Sequence, residues 1–293
     1  MKEIVVISGK GGTGKTTIAA SFAALAENAV MADCDVDASD LHLILRPVIK
    51  TGNRFFCGHE AEIRKNDCIS CGACLANCRF EAVKMNGDVA GEAEFSIDAS
   101  ACDGCGACVY LCPVKAIDFH SRYCGEWFVS DTRFGPMVHA VLAPGAENSG
   151  KLVNLVRMNA KKTAEETGGN IIITDGPPGI GCPVISSVTG ADAVLAVAEP
   201  TLSGLHDLRR IMELARHFGI RTLVCVNRSD MNTGISEEIE KLSAESGAVF
   251  AGRIPYDDEI NRAHDGGISI IEHGKGESVG RIREVWNETR RNI

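Results

Sequence analysis

The sequence predicts an α/β protein in which a doubly wound parallel sheet is interrupted by a small inserted α+β domain. Apolar runs alternate with helical stretches over residues 1–50 and about 125–293, as is typical of strands buried in a parallel sheet. A cysteine-rich stretch between these regions breaks the alternation. We therefore expect one discontinuous domain over residues 1–53 and 121–293, with an inserted domain over residues 54–120.

Composition and charge limit the possible classes of function. The chain has 293 residues, 45% of them hydrophobic, which is enough for one large domain and a small insert. Its formal net charge of -9 argues against nucleic acid as a partner, because phosphate binding needs a basic face. No apolar run approaches the length of a membrane span. Abundant cysteine without an export signal favours a cytoplasmic protein.

The first predicted strand leads into a glycine-rich loop. Ile4–Ile7 is a continuous apolar run typical of a buried parallel strand, and a helical stretch, Ile18–Glu27, follows the loop. The loop satisfies the phosphate-binding pattern G-x4-G-K-S/T, and its residues are Gly9, Lys10, Gly11, Gly12, Thr13, Gly14, Lys15, Thr16 and Thr17. The glycines let successive backbone N–H groups point at phosphate oxygens. A chance match in a glycine-rich turn is the alternative, but strand, loop and helix agree.

Three side chains of this loop have expected roles in binding ATP. Lys15 should contact the β- and γ-phosphates, and the Thr16 hydroxyl should bind Mg²⁺. Thr17 is placed to reach the α-phosphate. The loop therefore predicts ATP and Mg²⁺ as ligands.

Eight of the thirteen cysteines form two copies of one pattern. Each copy has the spacing C-x2-C-x2-C-x3-C, which is that of bacterial ferredoxins with 4Fe-4S clusters. In two-cluster ferredoxins the fourth cysteine of each run binds the other cluster. We therefore expect two ligand sets, one made of Cys68, Cys71, Cys74 and Cys112, the other of Cys102, Cys105, Cys108 and Cys78.

Two other interpretations of a cysteine-rich segment fit less well. Disulfide frameworks belong to small secreted domains, and zinc sites use cysteine pairs separated by a longer gap. The remaining cysteines are expected to be buried or redox-inert thiols, and they are Cys34, Cys57, Cys124, Cys182 and Cys225.

The phosphate-binding loop has a lysine, Lys10, at a position where ordinary P-loops accept almost any residue. With it, the loop resembles the deviant Walker A motif of the MinD/ParA/Mrp superfamily and of the nitrogenase iron protein. This resemblance implies a P-loop NTPase sheet of the SIMIBI type and a homodimer that closes on ATP. It also implies that Lys10 reaches the partner's phosphates, as an arginine finger does. The alternative is a solvated loop lysine.

The resemblance continues at the ends of later strands. The second predicted strand, Val30–Ala32, is followed by Asp33 and Asp35. By position, Asp35 corresponds to the family's carboxylate that orients or deprotonates the attacking water. Asp175 ends another apolar strand and should hold Mg²⁺ through water, and Gly179 belongs to a following switch segment that senses the γ-phosphate.

Two further segments match the family's base-binding residues. Asn227 follows the strand Leu223–Val226 at the position of the family's adenine-contacting asparagine, and Arg228 comes next. Pro255 lies in Ile254–Asp257, which resembles the loop that closes over the base. The whole chain, including the segment 147–151, is similar to MinD-superfamily ATPases with an inserted ferredoxin domain.

Three functions agree with these features. The first is ATP-gated electron transfer through two 4Fe-4S clusters to a redox partner, with hydrolysis stimulated by that partner. The second is assembly or delivery of an iron-sulfur or metal cluster to an apo-protein, and the third is a MinD-like positioning ATPase whose clusters sense redox state. Closed four-thiolate sites favour the first, because they leave no open coordination position. Stable membrane anchoring is not expected, because the apolar stripe near the C-terminus lacks an additional basic amphipathic segment.

Overall fold

The computed structural model describes residues 1–87, 93–146 and 150–293, and the chain folds as two compact units. The larger, called here the sheet unit, comprises Met1–Asn53, Glu126–Leu142 and Asn148–Ile293. The smaller, called the cysteine unit, comprises Arg54–Gly125 and Ala143–Glu147. Residues 147–149 of the segment 147–151 lie outside the described residues.

The strands of the described residues are β1 (Lys2–Ser8), β2 (Ala29–Asp33), β3 (Val48–Ile63), β4 (Val83–Asn86), β5 (Glu94–Ile97), β6 (Ile117–Thr132), β7 (Gly135–Leu142), β8 (Ile171–Pro178), β9 (Ala193–Ala198), β10 (Arg221–Asn227) and β11 (Val249–Ile254). Within this part of the chain the large sheet has the order β11-β10-β9-β1-β8-β2-β7-β6-β3. Six neighbouring pairs, from β11 to β7, are parallel. The predicted α/β fold with a mostly parallel sheet is therefore confirmed.

The helices are α1 (Lys15–Leu25), α2 (Leu41–Leu45), α3 (Ala73–Asn77), α4 (Ala107–Leu111), α5 (Lys151–Thr167), α6 (Cys182–Val188), α7 (Leu202–His217), α8 (Thr233–Glu245), α9 (Asp258–Asp265), α10 (Ile270–His273) and α11 (Ser278–Arg291). A 3-10 helix spans Lys65–Asp67. None of the helices in the described ranges combines the length and apolar content that crossing a membrane demands.

Strand β1 shows why strands of this sheet appear in the sequence as uninterrupted apolar runs. Ile4 and Val6 belong to one hydrophobic cluster, and Val5 and Ile7 belong to another. Side chains alternate between the two faces of a strand, so β1 contributes to a core on each side. Because helices cover both faces, every position from Ile4 to Ile7 is apolar.

A buried ion pair fastens β1 to α5. Arg157 Nε and Nη2 each donate to a Glu3 carboxylate oxygen at 2.7 Å. Arg157 Nη1 donates to the carbonyls of Ser186 and Thr189 at 2.7 and 2.9 Å. The guanidinium thus satisfies the carboxylate of β1 and the carbonyls of α6 and the residue after it, which compensates for removing two charges from water.

The cysteine unit has its own small core and a two-stranded antiparallel sheet of β4 and β5. Helices α3 and α4 follow Gly72 and Gly106, whose φ angles of 71° and 73° lie in the left-handed region that favours glycine. Strand β6 begins in this unit at Ile117 and runs without a break to Thr132.

The cysteines outside the two runs differ partly from expectation. Cys34 and Cys225 are buried free thiols, whereas Cys182 is exposed. Cys57 and Cys124 form a disulfide, so the interpretation of this pair as inert thiols is wrong. Because β3 and β6 are neighbours, they bring the two Cα atoms to 5.8 Å, although the residues are 67 positions apart in the sequence.

The N-terminus of α8 offers a test of local stability. Asn232 Oδ1 accepts a hydrogen bond from Ile235 N at 3.1 Å and so caps the helix. Replacing Asn232 by alanine is expected to lower the free energy of unfolding by about 1 kcal/mol, because one N–H group of the first turn loses its partner. Urea unfolding followed by far-UV circular dichroism measures the change. Asn232→Ser keeps a capping oxygen and should stay close to wild type; equal losses in both variants would contradict the cap.

Candidate functional site

The glycine-rich loop joins β1 to α1, and two of its glycines are sterically required. A Cβ atom on Gly14, whose φ is +91°, would lie 2.4 Å from Asn227 Nδ2. A Cβ atom on Gly9 would lie 2.1 Å from Asp207 Cβ. The loop therefore packs directly against the end of β10 and against α7, and only glycine fits at these contacts.

A large open pocket lies against the loop, with an empty volume of about 1340 Å³. The predicted residues that line it are Gly11, Gly12, Gly14, Lys15, Thr16, Thr17, Asp35, Asn227, Arg228 and Pro255. They come from the ends of β1, β2, β10 and β11 and from α1, so the carboxyl edge of the sheet gathers them. Tyr256 of the predicted loop Ile254–Asp257 also lines the pocket, as do Asn261 and His264 of α9, which sequence reasoning missed because α9 carries no motif of its own.

The residues expected to bind Mg²⁺ lie close together at the start of α1. Thr16 Oγ1 donates to Asp175 Oδ2 at 2.6 Å, and Lys15 Nζ lies 3.6 Å from Asp35 Oδ2. Within the described residues, Asp175 Oδ1 is buried and has no hydrogen-bond partner. A hydroxyl, carboxylates and an unpaired carboxylate oxygen are the ligands that Mg²⁺ prefers, directly or through water. The residues of this corner therefore fit the ion.

Burial and repulsion between neighbouring carboxylates raise the pKa of acidic residues at this corner. Burial raises the pKa of Asp175 to about 7, although Lys15 and the Thr16 hydroxyl favour its charged form. Burial, together with the nearby Asp175, also raises the pKa of Asp33 well above its usual value. Three carboxylates, those of Asp33, Asp35 and Asp175, are thus crowded together with the Lys15 ammonium near two of them, and a divalent cation would relieve their repulsion.

Three further predicted residues, Asp33, Thr13 and Gly179, are not among those that line the pocket. Asp33 accepts hydrogen bonds from Ser39 Oγ at 2.6 Å and from Asp35 N at 3.2 Å, so it shapes the turn that carries Asp35. Thr13 Oγ1 donates to Lys10 O at 3.3 Å. Gly179, with φ +90°, donates its N–H to Ser8 O at 2.8 Å and so fastens the end of β8 to β1.

Lys10 and Arg228 share one carboxylate that sequence reasoning missed. Lys10 Nζ lies 2.8 Å from Glu199 Oε2, and Arg228 Nη1 pairs with Glu199 Oε1. The Glu199 side chain is only 9% exposed, whereas that of Lys10 is 40% exposed. Glu199 directly follows the apolar run of β9, as Asp175 follows the apolar run that begins β8, so the same signal could have found it; β8 itself continues past Asp175 to Pro178.

Asn227 has a defined partner in this structure. Its Nδ2 donates to Thr13 O at 2.8 Å, and its side chain is at the edge of the pocket. It therefore braces the phosphate-binding loop against β10. Its Oδ1 is the atom left to meet a base amino group.

Two small cavities in the cysteine unit are lined by the two cysteine runs. One has an empty volume of about 340 Å³ and is lined by Cys68, Cys71, Cys74 and Cys112. The other has about 360 Å³ and is lined by Cys78, Cys102, Cys105 and Cys108. Each cavity thus takes three cysteines from one run and the last cysteine of the other, which is the division expected for the two ligand sets.

Backbone N–H groups point at sulfur atoms in this unit. Ala116 N donates to Cys112 Sγ at 3.2 Å. Burial opposes the thiolate at Cys78, but hydrogen bonds from the backbone of Val83 and its neighbours outweigh it and lower the pKa of this thiol. In the part of the chain that the structure describes, no three histidine, cysteine or acidic side chains form a group that could hold one metal ion.

Comparisons with known proteins agree with the fold and the loop. Residues 4–270 match the family model of the CobQ/CobB/MinD/ParA nucleotide binding domain. The uncharacterized protein MJ0578 of Methanocaldococcus jannaschii is 39% identical over 236 residues, which are 78% of this chain and 79% of that protein.

Solved structures show the same fold. The cell division ATPase MinD of Pyrococcus furiosus superposes with a TM-score of 0.58 at 15% identity, over 100% of this chain and 99% of that one. The septum site-determining protein MinD of Pyrococcus horikoshii OT3, complexed with Mg-ADP, has a TM-score of 0.58 at 16% identity, over 98% and 95% of the two chains. With the phosphate-binding loop, the parallel sheet and the family match in agreement, the chain belongs to the CobQ/CobB/MinD/ParA nucleotide-binding family.

Proposed function

We propose that this protein hydrolyses ATP and that its nucleotide state controls electron transfer through two 4Fe-4S clusters. The observation that carries the proposal is the division of eight cysteines between two cavities, in a chain of a nucleotide-binding family. The inserted ferredoxin domain of the proposal comprises residues 54–120, within the cysteine unit. Eleven free cysteines favour a reducing compartment, and we place the protein in the cytoplasm.

The pocket of the sheet unit supplies the groups that ATP hydrolysis needs. Lys15 would contact the β- and γ-phosphates, and Thr16 with Asp175 would hold Mg²⁺. Asp35, next to Lys15, orients the attacking water. Arg228, Asn227 and the loop of Pro255 lie where the base binds.

The cysteine cavities fit clusters better than single ions. Four thiolates that share one zinc ion at about 2.3 Å lie within about 4 Å of one another. Four thiolates that each bind a different iron of a cluster stand farther apart, around a cavity. The runs line such cavities, yet no three of their side chains group around a single ion position among the described residues.

The chain's own residues set the environment of these sites. When bound, a 4Fe-4S cluster supplies one-electron transfer, and hydrogen bonds to its sulfurs tune its potential. The N–H of Ala116 and the amides around Cys78 are such donors. Four thiolates at each site leave no open position, which favours electron transfer over delivery of a cluster to an apo-protein.

The proposed active form is a homodimer that closes on ATP. Lys10 is partly exposed and is held by Glu199 of its own chain, so it becomes available to a partner's phosphates once Glu199 releases it. The partner to which electrons pass is a redox protein, and contact with it stimulates hydrolysis.

A MinD-like positioning ATPase with redox-sensing clusters is the second candidate. The family match and the MinD structures favour it. It requires ATP-dependent binding to a surface or filament partner, and it does not require that nucleotide alter the potential of a cluster.

An anaerobic redox titration followed by electron paramagnetic resonance tests the first proposal. The reconstituted protein is titrated with Mg²⁺ alone, with Mg-ADP and with a non-hydrolysable Mg-ATP analogue. We expect the analogue to shift at least one cluster potential by about 60 mV, which corresponds to a tenfold change in a one-electron equilibrium.

A matched variant controls for effects of the analogue itself. Lys15→Ala loses the contact to the phosphates and should show the potentials of the nucleotide-free protein in every condition. Identical potentials of the wild-type protein in all three conditions would contradict control by nucleotide and favour the second candidate.

A further inference from the structure

We propose that Cys57 and Cys124 form a redox-active dithiol–disulfide couple, which takes two electrons from the two cysteine-lined sites and passes them to an external disulfide compound. The two residues are joined in the cysteine unit, one in β3 and one in β6. This inference rests on the proposed function, because it needs clusters as the source of electrons. It adds a terminal acceptor that the ferredoxin pattern does not supply.

The disulfide lies on the strands that wall the cysteine cavities. Ala61, farther along β3 than Cys57, lines the cavity of Cys102, Cys105, Cys108 and Cys78. A Cβ atom on Gly104 would lie 2.1 Å from His59 O, so the backbone of β3 touches the second cysteine run next to Cys105. His59 is two residues from Cys57, which places one half of the disulfide close to this cavity.

The other half of the disulfide has its own connection to the same run. Arg122 Nη1 donates to Cys102 O at 3.3 Å. Arg122 is two residues before Cys124 in β6, on the same side of the strand in an extended chain. Both strands thus connect the disulfide to one cavity through short stretches of backbone and a single hydrogen bond.

The two sulfurs differ in their access to solvent. Cys124 is buried, with 2% of its surface exposed, whereas Cys57 is half-buried. Thiol–disulfide exchange requires direct approach of one sulfur to another. Exchange with an external compound therefore occurs at Cys57, and Cys124 is the sulfur that resolves the mixed disulfide.

This pair is unlike the structural disulfides of secreted domains. It is the one disulfide recorded in the structure, and the other eleven cysteines are free. In proteins whose thiols are kept reduced, disulfides are usually transient and take part in catalysis or redox sensing. A single pair beside sites for one-electron carriers fits a catalytic use.

The electrons and atoms of the step balance. Reduction breaks the Cys57–Cys124 bond and forms two thiols, which takes two electrons and two protons. A 4Fe-4S cluster held at each of the two cysteine-lined sites would supply one electron, and solvent would supply the protons. In the return step the Cys57 thiolate attacks an external disulfide, Cys124 displaces the bound half, and two external thiols leave as the Cys57–Cys124 bond re-forms.

The electron uptake of the cluster-loaded protein tests the proposal. Oxidised protein is titrated anaerobically with a one-electron reductant, reduced methyl viologen, and the thiols are then alkylated and mapped by mass spectrometry. We expect wild type to take up two more electrons per chain than the Cys57→Ser, Cys124→Ser double variant, with alkylation appearing at Cys57 and Cys124. Neither residue belongs to the cluster ligands, so iron content should be equal.

A second variant tests the route of exchange. With Cys124→Ser and oxidised glutathione, Cys57 should carry one glutathione per chain, because the resolving sulfur is missing. The proposal is overturned if the Cys57–Cys124 disulfide survives full reduction of the clusters, or if glutathione does not attach to Cys57.

The results that would overturn the disulfide couple differ from those expected if the proposed function itself is wrong. A chain without clusters shows no iron and no electron uptake in the double variant. A chain with working clusters but no couple shows normal iron, normal uptake in the double variant and an intact disulfide in wild type.

Discussion

Replacing Lys10 by alanine should lower kcat for ATP hydrolysis by about 1,000-fold while leaving ATP affinity within a few-fold of wild type. A cation that reaches a partner's phosphates stabilises the negative charge of the transition state. Such groups raise kcat by a factor of about 10³ to 10⁵. Lys10 is 40% exposed and lies outside the ten predicted residues that line the pocket, so its loss removes little ground-state binding. Phosphate release and nucleotide binding, each measured over a range of protein concentrations, give the two quantities.

Two other lysine variants serve as controls for Lys10→Ala. Lys15→Ala removes the buried lysine beside Asp35 and should weaken nucleotide binding as well as hydrolysis. Lys241→Ala removes an exposed lysine of α8 that pairs with Glu245 in the same helix, and should change neither. If Lys10→Ala weakens binding and hydrolysis equally, Lys10 is part of its own chain's phosphate site and the role in a dimer is contradicted.

A Glu199 variant tests the role of Lys10 in a second way. Its carboxylate holds both Lys10 and Arg228, so it restrains the phosphate-binding loop and the base side of the pocket together. Glu199→Gln keeps the shape and removes the charge. At protein concentrations where dimers are scarce, this variant should hydrolyse ATP faster than wild type, because a freed Lys10 shifts the population toward the closed form. A slower rate would mean that Glu199 positions Lys10 instead of restraining it.

Features that depend on residues close together in the sequence could be predicted, whereas features that depend on contacts between distant segments could not. The apolar run of β1 and the glycine-rich loop are local patterns, and they predicted a buried strand and a phosphate-binding site. Asp35 and Asp175 were found because they follow apolar strands at the positions of the family's acidic motifs, and the carboxyl ends of neighbouring parallel strands meet at one edge of a sheet. Asp175 Oδ1, buried and unpaired among the described residues, is a detail that only the packing reveals.

Interactions between distant segments escaped sequence reasoning. The pairing of Lys10 with Glu199 depends on β9 lying beside β1 in the sheet, and no local motif encodes that neighbour. The disulfide of Cys57 and Cys124 depends on β3 and β6 being adjacent, across 67 positions of sequence. Asn227 was named for the base, but its hydrogen bond to Thr13 O shows a bracing contact that strand order alone could not specify.

The division of the cysteines predicts a particular pattern of iron loss. Cys112 lines the cavity of Cys68, Cys71 and Cys74, and Cys78 lines the other. Either Cys112→Ser or Cys78→Ser should therefore lower the iron content from about eight to about four per chain, because each removes one ligand of a 4Fe-4S cluster. Cys225→Ser, a buried thiol of β10, is the matched control and should keep all the iron.

Double variants decide which cysteines share a cluster, because losses within one site do not add whereas losses at two sites do. Cys71→Ser combined with Cys112→Ser should retain about four irons per chain, since both residues line one cavity. Cys71→Ser combined with Cys78→Ser should retain almost none. The opposite result, in which Cys71 and Cys78 behave as one site, would show that each run binds its own cluster with all four of its cysteines. The crossing of the fourth ligand would then be wrong even though both clusters are present.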